Sequence, residues 1–564
     1  MKALLTGWIG NAIASMTMAC TLGLILSGLG HMAWAESPQV IWMAPGIENV
    51  VCLEAIEDID GDGGPDIVFE SYDAGAPQTD HLICIRGASS GMGEVLWGAR
   101  PPGGLSSGGG YGDNCLRIAP DITGDGVQDV LLGTAWGGRS AYVLDGTEGD
   151  NIWWIFDTYI GTPPNPPQSA WVYSIDAVDD LNGDGVPEVT FCTGNYNQGV
   201  YMMDGASGSA LWYYHGGDPY FDVRCVGDVD GDGFADVAAG SGDNGPKLSC
   251  LSGPGNGVGQ PQLHWELPYS NTIMSLQPIH SIDLDELPEI ITASWDGHVR
   301  CHDGATGAIH WTSVQLATVV HRVAIVGDVD SDGTDDIVAG LWQNKVSVVS
   351  GQDGSIIWEQ WVGTLNGGDT WAVDGAGDVN YDGIPEVAVG SFDTRVYLMD
   401  GVDGTILWDF TTGNRLFTVR GVPDLNSNGI PDVVGGTQML GGSGGWVYAL
   451  EGLPPSAGVP EDLVDLNPGN RTLRVAPNPL ALGGGELFWS VTPPGAGLLH
   501  LQVIGPDGRA IRTLAETPVS TQSRPSGTWD QRDQSGMRVP AGVFWLRAQL
   551  GVREIACERV ILVR

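Results

Sequence analysis

The feature that most constrains this 564-residue chain is a nine-residue acidic pattern that occurs eight times. The pattern reads Asp-x-Asp/Asn-x-Asp-Gly-x-x-Asp/Glu, with some variation, and successive copies begin 46 to 63 residues apart. Each copy is followed by a short apolar run such as IVF, VLL or VAV, which is typical of a β-strand. A repeat of this length in β-rich sequence is typical of a β-propeller, in which each repeat forms one blade. The repeat therefore predicts an all-β fold.

Each repeat can be divided into four strands. Residues 319–361 read as VVHRVAIVG, the acidic loop DVDSDGTDD, and the runs IVAGLWQ, KVSVVSG and SIIWEQW. A turn with Asp-Gly or a related pair precedes the fourth strand of most repeats, and this strand usually carries a Trp. Asp-Gly favours the tight turns that join antiparallel strands. We expect the large Trp side chain to wedge between neighbouring blades.

The two ends of the repeat region complement each other. The eighth repeat ends at Gly452 without a fourth strand, whereas the run QVIWMAP near the N-terminus carries Trp42 where other repeats carry their Trp. We predict that this N-terminal strand completes the last blade and closes an eight-bladed ring, which removes open sheet edges. A seven-bladed ring with one extra segment is the alternative, because the copy that begins at Ser281 lacks the glycine of the pattern.

The acidic loops offer the ligands that a hard divalent cation prefers. Ca²⁺ takes six to eight oxygen ligands, and Gly at the sixth position of the loop permits a sharp turn. An EF-hand would need a carboxylate at position 12, which is Phe69, Leu132 or another residue without a carboxylate in every copy. We predict about seven or eight structural Ca²⁺ ions, one for each loop. The alternative is that the acidic clusters are solvated turns.

The predicted metal ligands occupy positions 1, 3, 5 and 9 of the loops. Ser281 and Glu286 weaken the fifth site, and Asn428 weakens the eighth. The predicted ligands are Asp58, Asp60, Asp62, Asp66, Asp121, Thr123, Asp125, Asp129, Asp180, Asn182, Asp184, Glu188, Asp228, Asp230, Asp232, Asp236, Asp283, Asp285, Glu289, Asp328, Asp330, Asp332, Asp336, Asp378, Asn380, Asp382, Glu386, Asp424, Asn426, Asn428 and Asp432.

These loops, on a repeat of propeller length, resemble the FG-GAP and VCBS-type repeats, the former known from the integrin α head. The resemblance extends over residues 40–452 and implies a Ca²⁺-binding β-propeller. Such repeats occur in adhesins, in lyases and in proteins of unknown role. The resemblance therefore implies a fold and a cation, and leaves the biological role open.

The N-terminus is typical of a secretory signal. Lys2 is the only charged residue before Glu36, the intervening region is apolar, and Ala33-Trp34-Ala35 offers a cleavage site. We predict a signal peptide over residues 1–35 and a secreted or cell-surface protein, with an uncleaved membrane anchor as the alternative. No other segment is long and apolar enough to span a membrane.

The cysteines allow two interpretations. An exported chain could pair the eight cysteines that follow the predicted signal. However, Cys84, Cys250 and Cys301 occupy a position that holds an apolar residue such as Val143 in the other repeats. Cys packs at such positions as a small apolar side chain. We therefore predict mostly free, buried thiols.

The chain is predicted to contain a second domain. We assign residues 36–453 to the propeller, 454–470 to a linker rich in Pro and Gly, and 471–564 to a small antiparallel β-sandwich. Its recognisable segments are Pro477-Asn478-Pro479, Asp507-Gly508-Arg509, Trp529-Asp530, Gly536 and Gly542-Val543-Phe544. In these residues the tail resembles the Ig-like domain of flagellar hook-capping proteins and the related C-terminal sorting domains of type IX secretion. This resemblance implies a contact with the secretion machinery, and a plain accessory sandwich is the alternative.

Charge and motifs narrow the function classes. A net charge of −45 argues against nucleic acid as a partner. We identify no Gly-x-Ser-x-Gly nucleophile elbow between a strand and a helix, no His-Glu-x-x-His motif and no P-loop, so no catalytic residue and no organic cofactor is predicted. We predict a monomeric binding protein for adhesion or for recognition of an extracellular protein or glycan. The alternative is a polysaccharide-degrading lyase or hydrolase.

A basic cluster at the ring axis would help to identify the ligand. Five arginines lie within or near the predicted first strands, where they could meet in the centre of the ring and hold an acidic glycan. They are Arg117, Arg224, Arg322, Arg415 and Arg420.

Overall fold

The structure is a computed structural model of the chain. It describes residues 37–46, 49–72, 80–100, 113–135, 139–156, 170–195, 198–255, 261–283, 285, 287–363, 368–438, 445–453, 473–476, 480–481, 487–491, 493, 496–504, 509–520, 525–529, 531–532, 534, 537–539, 542–550 and 553–563. The predicted signal peptide and linker lie outside these residues. Within them, the only helical segment is a short 3₁₀ turn at Asp113–Cys115. No helix of the described chain is long and apolar enough to cross a membrane.

Eight antiparallel sheets form the blades, and each blade begins with the strand nearest the ring axis. The strands are, in blade 1, Asn49–Ile56, Asp66–Tyr72, Leu82–Ile85 and Val95–Ala99; in blade 2, Leu116–Ala119, Asp129–Gly133, Ser140–Leu144 and Asn151–Phe156; in blade 3, Ala170–Val178, Glu188–Asn195, Gly199–Met203 and Ala210–His215; in blade 4, Tyr220–Gly227, Asp236–Ser241, Lys247–Leu251 and Leu263–Pro268; in blade 5, Ile273–Ile279, Glu289–Ser294, Val299–His302 and Ile309–Thr312; in blade 6, Val320–Gly327, Asp336–Leu341, Lys345–Val349 and Ile356–Trp361; in blade 7, Thr370–Gly377, Glu386–Ser391, Arg395–Met399 and Ile406–Thr411; and in blade 8, Leu416–Val422, Asp432–Thr437, Trp446–Leu450 and Val40–Pro45.

The N-terminal strand closes the ring, as the sequence predicts. Val40–Pro45 pairs antiparallel with Trp446–Leu450 and supplies the fourth strand of blade 8, while the two-residue strand Gly91–Met92 adds to its outer edge in parallel. The prediction of an eight-bladed propeller is confirmed, and the seven-bladed alternative is wrong. The weak fifth repeat nevertheless forms a complete four-stranded sheet.

A hydrogen bond between a Trp and a glycine joins every pair of neighbouring blades. The indole Nε1 of each fourth-strand Trp donates to the carbonyl of the turn glycine in the next blade, over 2.5 to 2.8 Å. At Gly351 a Cβ would lie 2.0 Å from the carbonyl oxygen of Asp335, so no other residue fits there. The predicted wedge is therefore a directed contact. The pairs are Trp42–Gly87, Trp97–Gly146, Trp153–Gly205, Trp212–Gly253, Trp265–Gly304, Trp311–Gly351, Trp358–Gly401 and Trp408–Gly452.

The apolar cores of the ring lie between adjacent blades. Val348 and Trp358 of blade 6, for example, pack with Val373 and Tyr397 of blade 7. Seven cysteines form no disulfide within the described part of the chain, and these seven are buried or half-buried, which agrees with the prediction of mostly unpaired, buried thiols. They are Cys52, Cys84, Cys115, Cys192, Cys225, Cys250 and Cys301.

The C-terminal segment has a core of its own. Leu487 and Trp489 of the smaller sheet pack with Leu501 and Phe544 of the larger one, as the predicted sandwich requires. The smaller sheet contains Leu473–Ala476, Leu487–Val491 and Ser526–Trp529, and the larger contains Leu480–Ala481, Arg553–Val563, Gly542–Leu550, Gly497–Ile504 and Ala510–Val519.

Candidate functional site

The acidic loops join the first and second strands of each blade and wrap around their own carboxylates. In blade 1, Asp58 accepts hydrogen bonds from the backbone N–H groups of Gly61, Asp62 and Gly63 at 2.7 to 3.0 Å. Gly63 has a φ of 101°, which only glycine adopts readily. The same wrapping recurs around Asp228 in blade 4. Such a loop directs several side-chain oxygens toward one point.

Three loops bring the carboxylates of positions 1, 3 and 5 within 4.8 Å of one another: Asp58, Asp60 and Asp62; Asp228, Asp230 and Asp232; and Asp328, Asp330 and Asp332. Asp283, Asp285 and Glu289 form a similar group in the fifth loop. Oxygen ligands at this spacing fit Ca²⁺, and closely spaced carboxylates repel one another unless a cation lies between them. The donor set therefore fits the predicted cation.

The other loops carry neutral ligands at position 3. Thr123 donates to Asp121 at 3.2 Å, and Asn380 donates to Asp382 at 3.2 Å. Asn182 and Asn426 stand at the same position in blades 3 and 8. Each can offer one oxygen to a cation without a negative charge.

Some basic side chains lie against the loops. Arg86 contacts Asp60 at 2.5 Å and Asp62 at 3.7 Å. In the fifth loop, His310 lies 3.3 Å from Glu289 and 4.0 Å from Asp283. Arg86 supplies positive charge at the first loop, which the spacing of the acidic residues does not reveal.

The carboxyl at position 9 has a second role that sequence reasoning missed. Asp66 is fully buried, and its two oxygens accept the N–H groups of Ile59 and of Gly87, the turn glycine of its own blade. Burial raises the pKa of Asp66 to about 6. The same bonds recur at Asp336 in blade 6. Position 9 thus ties the acidic loop to the glycine that the Trp of the preceding blade contacts.

The spacing between the position-9 carboxyl and the turn glycine could have revealed this link in the sequence. The position-9 carboxyl precedes its turn glycine by 15 to 21 residues in the blades where both bonds are formed. The position-9 residues are Asp66, Asp129, Glu188, Asp236, Glu289, Asp336, Glu386 and Asp432, and all lie buried at the start of the second strand.

The ring axis contains a polar cavity of about 390 Å³ lined by the first strands of all eight blades. Four of the five arginines singled out in the sequence meet at it: Arg117, Arg224, Arg322 and Arg420. The fifth, Arg415, instead lies over the Phe392 ring, 5.2 Å from its centroid.

Carboxylates neutralise the axial arginines. Glu54 contacts Arg117 at 2.7 Å and Arg420 at 2.8 Å, and Asp222 lies 3.4 Å from Arg224. Asp176 and Asp374 also line the cavity. The axis is therefore not the open basic cluster that an acidic glycan would require.

The environment moves the pKa values of the axial carboxyls in opposite directions. Burial raises the pKa of Asp374 to about 6. At Glu54 burial opposes ionisation, but Arg420 and Arg117 together lower the pKa below its ordinary value. The cavity thus holds two carboxyls of different acidity.

The turn Asp113–Cys115 crosses the axis at one end of the first strands. The Asn114 Oδ1 accepts from Arg224 at 2.9 Å and from Arg322 at 3.2 Å, while Asp113 accepts from Arg420 at 3.0 Å. Asn114 also donates to the carbonyl of Met274 in blade 5, over 3.4 Å. This turn, the axial plug, connects blades 4, 5, 6 and 8 and was not predicted.

A row of aromatic rings lies beside the axis at the starting ends of the first strands of blades 6 to 8. His321 lies between Trp342 and Trp371, with ring centroids 5.8 and 4.6 Å apart. Trp371 stacks on Phe392 at 5.4 Å, and Phe392 meets the edge of Phe417 at 5.6 Å. We call these five residues the aromatic row. Because the acidic loops follow the opposite ends of these strands, the row and the loops lie on opposite faces of the ring.

β-Bulges place three members of the row. The register of the first strand shifts around His321, Trp371 and Phe417, each the second residue of its strand. A bulge redirects the side chain of the extra residue. Trp342 and Phe392 each follow the second strand of their blade directly.

Comparison with known proteins supports the fold. No protein-family model matches the sequence, and no curated protein matches it. Among solved structures, the chain is similar to Sqt1 of Saccharomyces cerevisiae (9% identity, 74% of this chain and 99% of that chain, TM-score 0.52). It is also similar to the C-terminal WD40 domain of Sif2 (12% identity, 73% of this chain and 96% of that chain, TM-score 0.45). A further similar structure is BamB from Moraxella catarrhalis (14% identity, 72% of this chain and 98% of that chain, TM-score 0.42). At 9% identity the likeness to Sqt1 supports the fold alone.

Proposed function

We propose that this chain is a calcium-stabilised extracellular recognition protein that binds a protein or glycan ligand through a face of its propeller. The observation that carries the proposal is the aromatic row, whose Trp342 is 43% exposed. Large exposed aromatic side chains are typical of binding surfaces, and rigid scaffolds present such surfaces well. The axis, in contrast, is crossed at one end by the plug, and carboxylates neutralise its arginines.

In this proposal, bound Ca²⁺ stabilises the fold. The residues that would hold it are the oxygen ligands at positions 1, 3 and 5 of the loops, with position 9 beneath them. Bound Ca²⁺ would offset the repulsion among these carboxylates. In every blade but the seventh, the loop is linked through position 9 to a turn glycine, and through that glycine to the Trp of the neighbouring blade. Filled loops would therefore stabilise the seams between blades as well as single blades.

Export is the remaining part of the proposal. It is supported by the apolar N-terminal segment before Glu36 and by the resemblance of the tail to sorting domains. The tail also differs in charge from the strongly acidic chain, since it contains 11 Arg and 7 acidic residues from Arg471 onward. We propose that the tail directs the chain to the cell surface or beyond.

The test measures binding and bond cleavage on one panel. The purified chain is kept in about 1 mM Ca²⁺, a concentration that matches the affinity of extracellular calcium sites. It is passed over immobilised matrix proteins and polysaccharides. The soluble fraction is then assayed for released reducing ends and unsaturated products. We expect retention on at least one member without release of product. Release of product would contradict a purely binding function, and retention on no member would contradict recognition.

A polysaccharide-degrading enzyme is the second candidate, and one observation favours it. Glu54 and Asp374 line the same cavity with pKa values moved in opposite directions, which is the arrangement of a general acid and a general base. If the panel shows turnover, Asp374→Asn is expected to abolish it. Turnover that survives this substitution would exclude the axial cavity as the catalytic site.

A further inference from the structure

We infer that the aromatic row is a binding site for a neutral glycan, an inference that rests on the proposed recognition function and names its ligand. A sugar ring presents one face of C–H groups, which packs on aromatic rings, and a rim of hydroxyls, which needs hydrogen-bond partners. The row offers both kinds of contact.

The apolar contact comes from Trp342, which is 43% exposed at the end of the row. The other rings are buried or half-buried and pack against one another behind it, with consecutive centroids from Trp342 through His321 and Trp371 to Phe392 4.6 to 5.8 Å apart. This packing holds the Trp342 side chain in place, so that its exposed surface can support a sugar ring.

The polar contact comes from His321 at the centre of the row. His321 is only 7% exposed, and neither of its ring nitrogens has a hydrogen-bond partner among the described residues. A buried polar group without a partner is costly, so its presence beside an exposed surface indicates a missing partner. Burial lowers the pKa of His321 to about 4, so the ring is neutral at pH 7. A neutral imidazole has one donor and one acceptor, and a hydroxyl group can pair with either.

Further polar groups border the row. The Asp393 Oδ1 is buried without a partner in the described part of the chain, while its Oδ2 accepts from Tyr397. Arg415 is exposed over the ring of Phe392 at the other side. Asp393 and Arg415 thus offer an acceptor and a donor beside the rings for the hydroxyl groups of a ligand.

The negative charge of the protein disfavours anionic ligands, although some of them also stack on aromatic rings. Nucleic-acid bases also stack on aromatic rings, but the phosphate backbone is repelled by a chain of net charge −45. Asp369 and Asp393 lie beside the row, because the Asp369 carbonyl accepts the N–H of Phe392 at 2.9 Å. These carboxylates disfavour an acidic glycan in the same way. A neutral glycan meets no such repulsion.

Binding of soluble neutral oligosaccharides tests the inference. The full chain is titrated with hexasaccharides of glucose, xylose, mannose and N-acetylglucosamine, and affinity is measured by calorimetry and by tryptophan fluorescence. We expect at least one oligosaccharide to bind and Trp342→Ala to weaken its binding at least tenfold. His321→Phe keeps an aromatic ring but removes the nitrogens, and it is expected to weaken binding as well.

Phe234→Ala is the matched control. Phe234 is 42% exposed, much like Trp342, but it lies in the acidic loop of blade 4 on the opposite face. Its substitution is expected to leave the affinity unchanged. Melting temperatures of all variants in Ca²⁺ confirm that each remains folded.

Three outcomes would overturn the inference. They are the absence of binding by any neutral oligosaccharide, equal affinity of the wild-type and Trp342→Ala chains, and tighter binding of heparin than of every neutral sugar. Retention of a matrix protein with no sugar binding would overturn the glycan assignment and leave the recognition function standing. Bond cleavage on the panel would instead overturn the recognition function.

Discussion

Glu70 shows how much one side chain depends on the neighbouring blade. It is the fifth residue of the second strand in blade 1, where the other blades have Gly133, Cys192, Gly240, Ala293, Gly340, Gly390 and Gly436. At Gly240, a Cβ would lie 2.5 Å from Ile273 of the next blade. In blade 2 the first strand begins only at Leu116, after the axial plug. The shortened strand leaves space for a large side chain at this one seam.

The burial of Glu70 predicts a pH dependence of stability. Its side chain has no partner in the described chain, and burial raises its pKa to about 8 from an ordinary value of 4.5. Between pH 4.5 and about pH 8, the Glu70 carboxyl keeps its proton in the folded protein and releases it in the unfolded chain. The free energy of unfolding therefore falls as pH rises, by at most about 1.4 kcal/mol per pH unit, and this loss is complete above pH 8.

The test compares Glu70→Gln with the wild-type chain. Urea unfolding at several pH values between 5 and 8 is expected to give a flatter profile for the variant, because other titrating groups are shared. Substitution of the exposed Glu148 by Gln serves as the control and should reproduce the wild-type slope. Equal slopes for the wild-type and Glu70→Gln chains would show that Glu70 is ionised in the folded protein.

At the scale of elements, the hydrogen bond from each fourth-strand Trp to a turn glycine joins neighbouring blades. Trp358 in blade 6 donates to the Gly401 carbonyl of blade 7 at 2.6 Å. Trp358→Phe keeps most of the apolar contact and leaves the buried carbonyl without a donor, which costs about 1–3 kcal/mol. We expect urea denaturation to report a loss of this size. Trp361→Phe, in the same strand but at a 50% exposed site, should have little effect, and an equal loss would argue against a specific bond.

Local pattern was sufficient to predict the repeated elements. The acidic loops, the four strands of each blade, the Trp positions and the closing strand at Trp42 all follow from spacing within one repeat. The aromatic row does not, because β-bulges at His321 and Trp371 interrupt the alternation from which a strand's faces are inferred. The position-9 tie was missed because a carboxyl in an acidic cluster is also a plausible metal ligand.

The axial plug was unpredictable for a different reason. Asp113 and Arg420 are 307 residues apart, and Asn114 and Arg322 are 208 residues apart. No spacing within a repeat relates such residues, since they meet only after the ring has closed. Pairing between Glu54 and Arg420, 366 residues apart, likewise depends on closure, so spacing within a repeat showed that arginines could meet at the axis but not that carboxylates would neutralise them.

At the scale of the whole molecule, the proposed cation binding is expected to offset part of the negative charge. The chain has a net charge of −45, and much of it lies in loops on one face of the ring. Removal of Ca²⁺ with EDTA is therefore expected to lower the melting temperature strongly. A site filled at a hundred times its Kd adds about 2.7 kcal/mol to the folded state, and several sites act together. An unchanged melting temperature would mean that the loops are solvated turns.

One loop can be tested within the intact ring. Asp230→Ala together with Asp232→Ala removes two of the three carboxylates clustered in blade 4. The variant is expected to bind one Ca²⁺ fewer than the wild-type chain by elemental analysis. Asp243→Asn, at an exposed position outside the loops, is the control and should retain the full count. A count that stays the same in the double variant would contradict cation binding at this loop.

The pairing of the N-terminal strand with the third strand of blade 8 has a consequence for biosynthesis. Val40–Pro45 leaves the ribosome early, whereas Trp446–Leu450 follows about 400 residues later, or roughly 20–80 s at 5–20 residues per second. Throughout that interval the earliest strand has no final partner, and seven blades can form without a circle. The ring therefore cannot close before Trp446–Leu450 has been synthesised, and until then the edge of Val40–Pro45 is open to pairing with other strands.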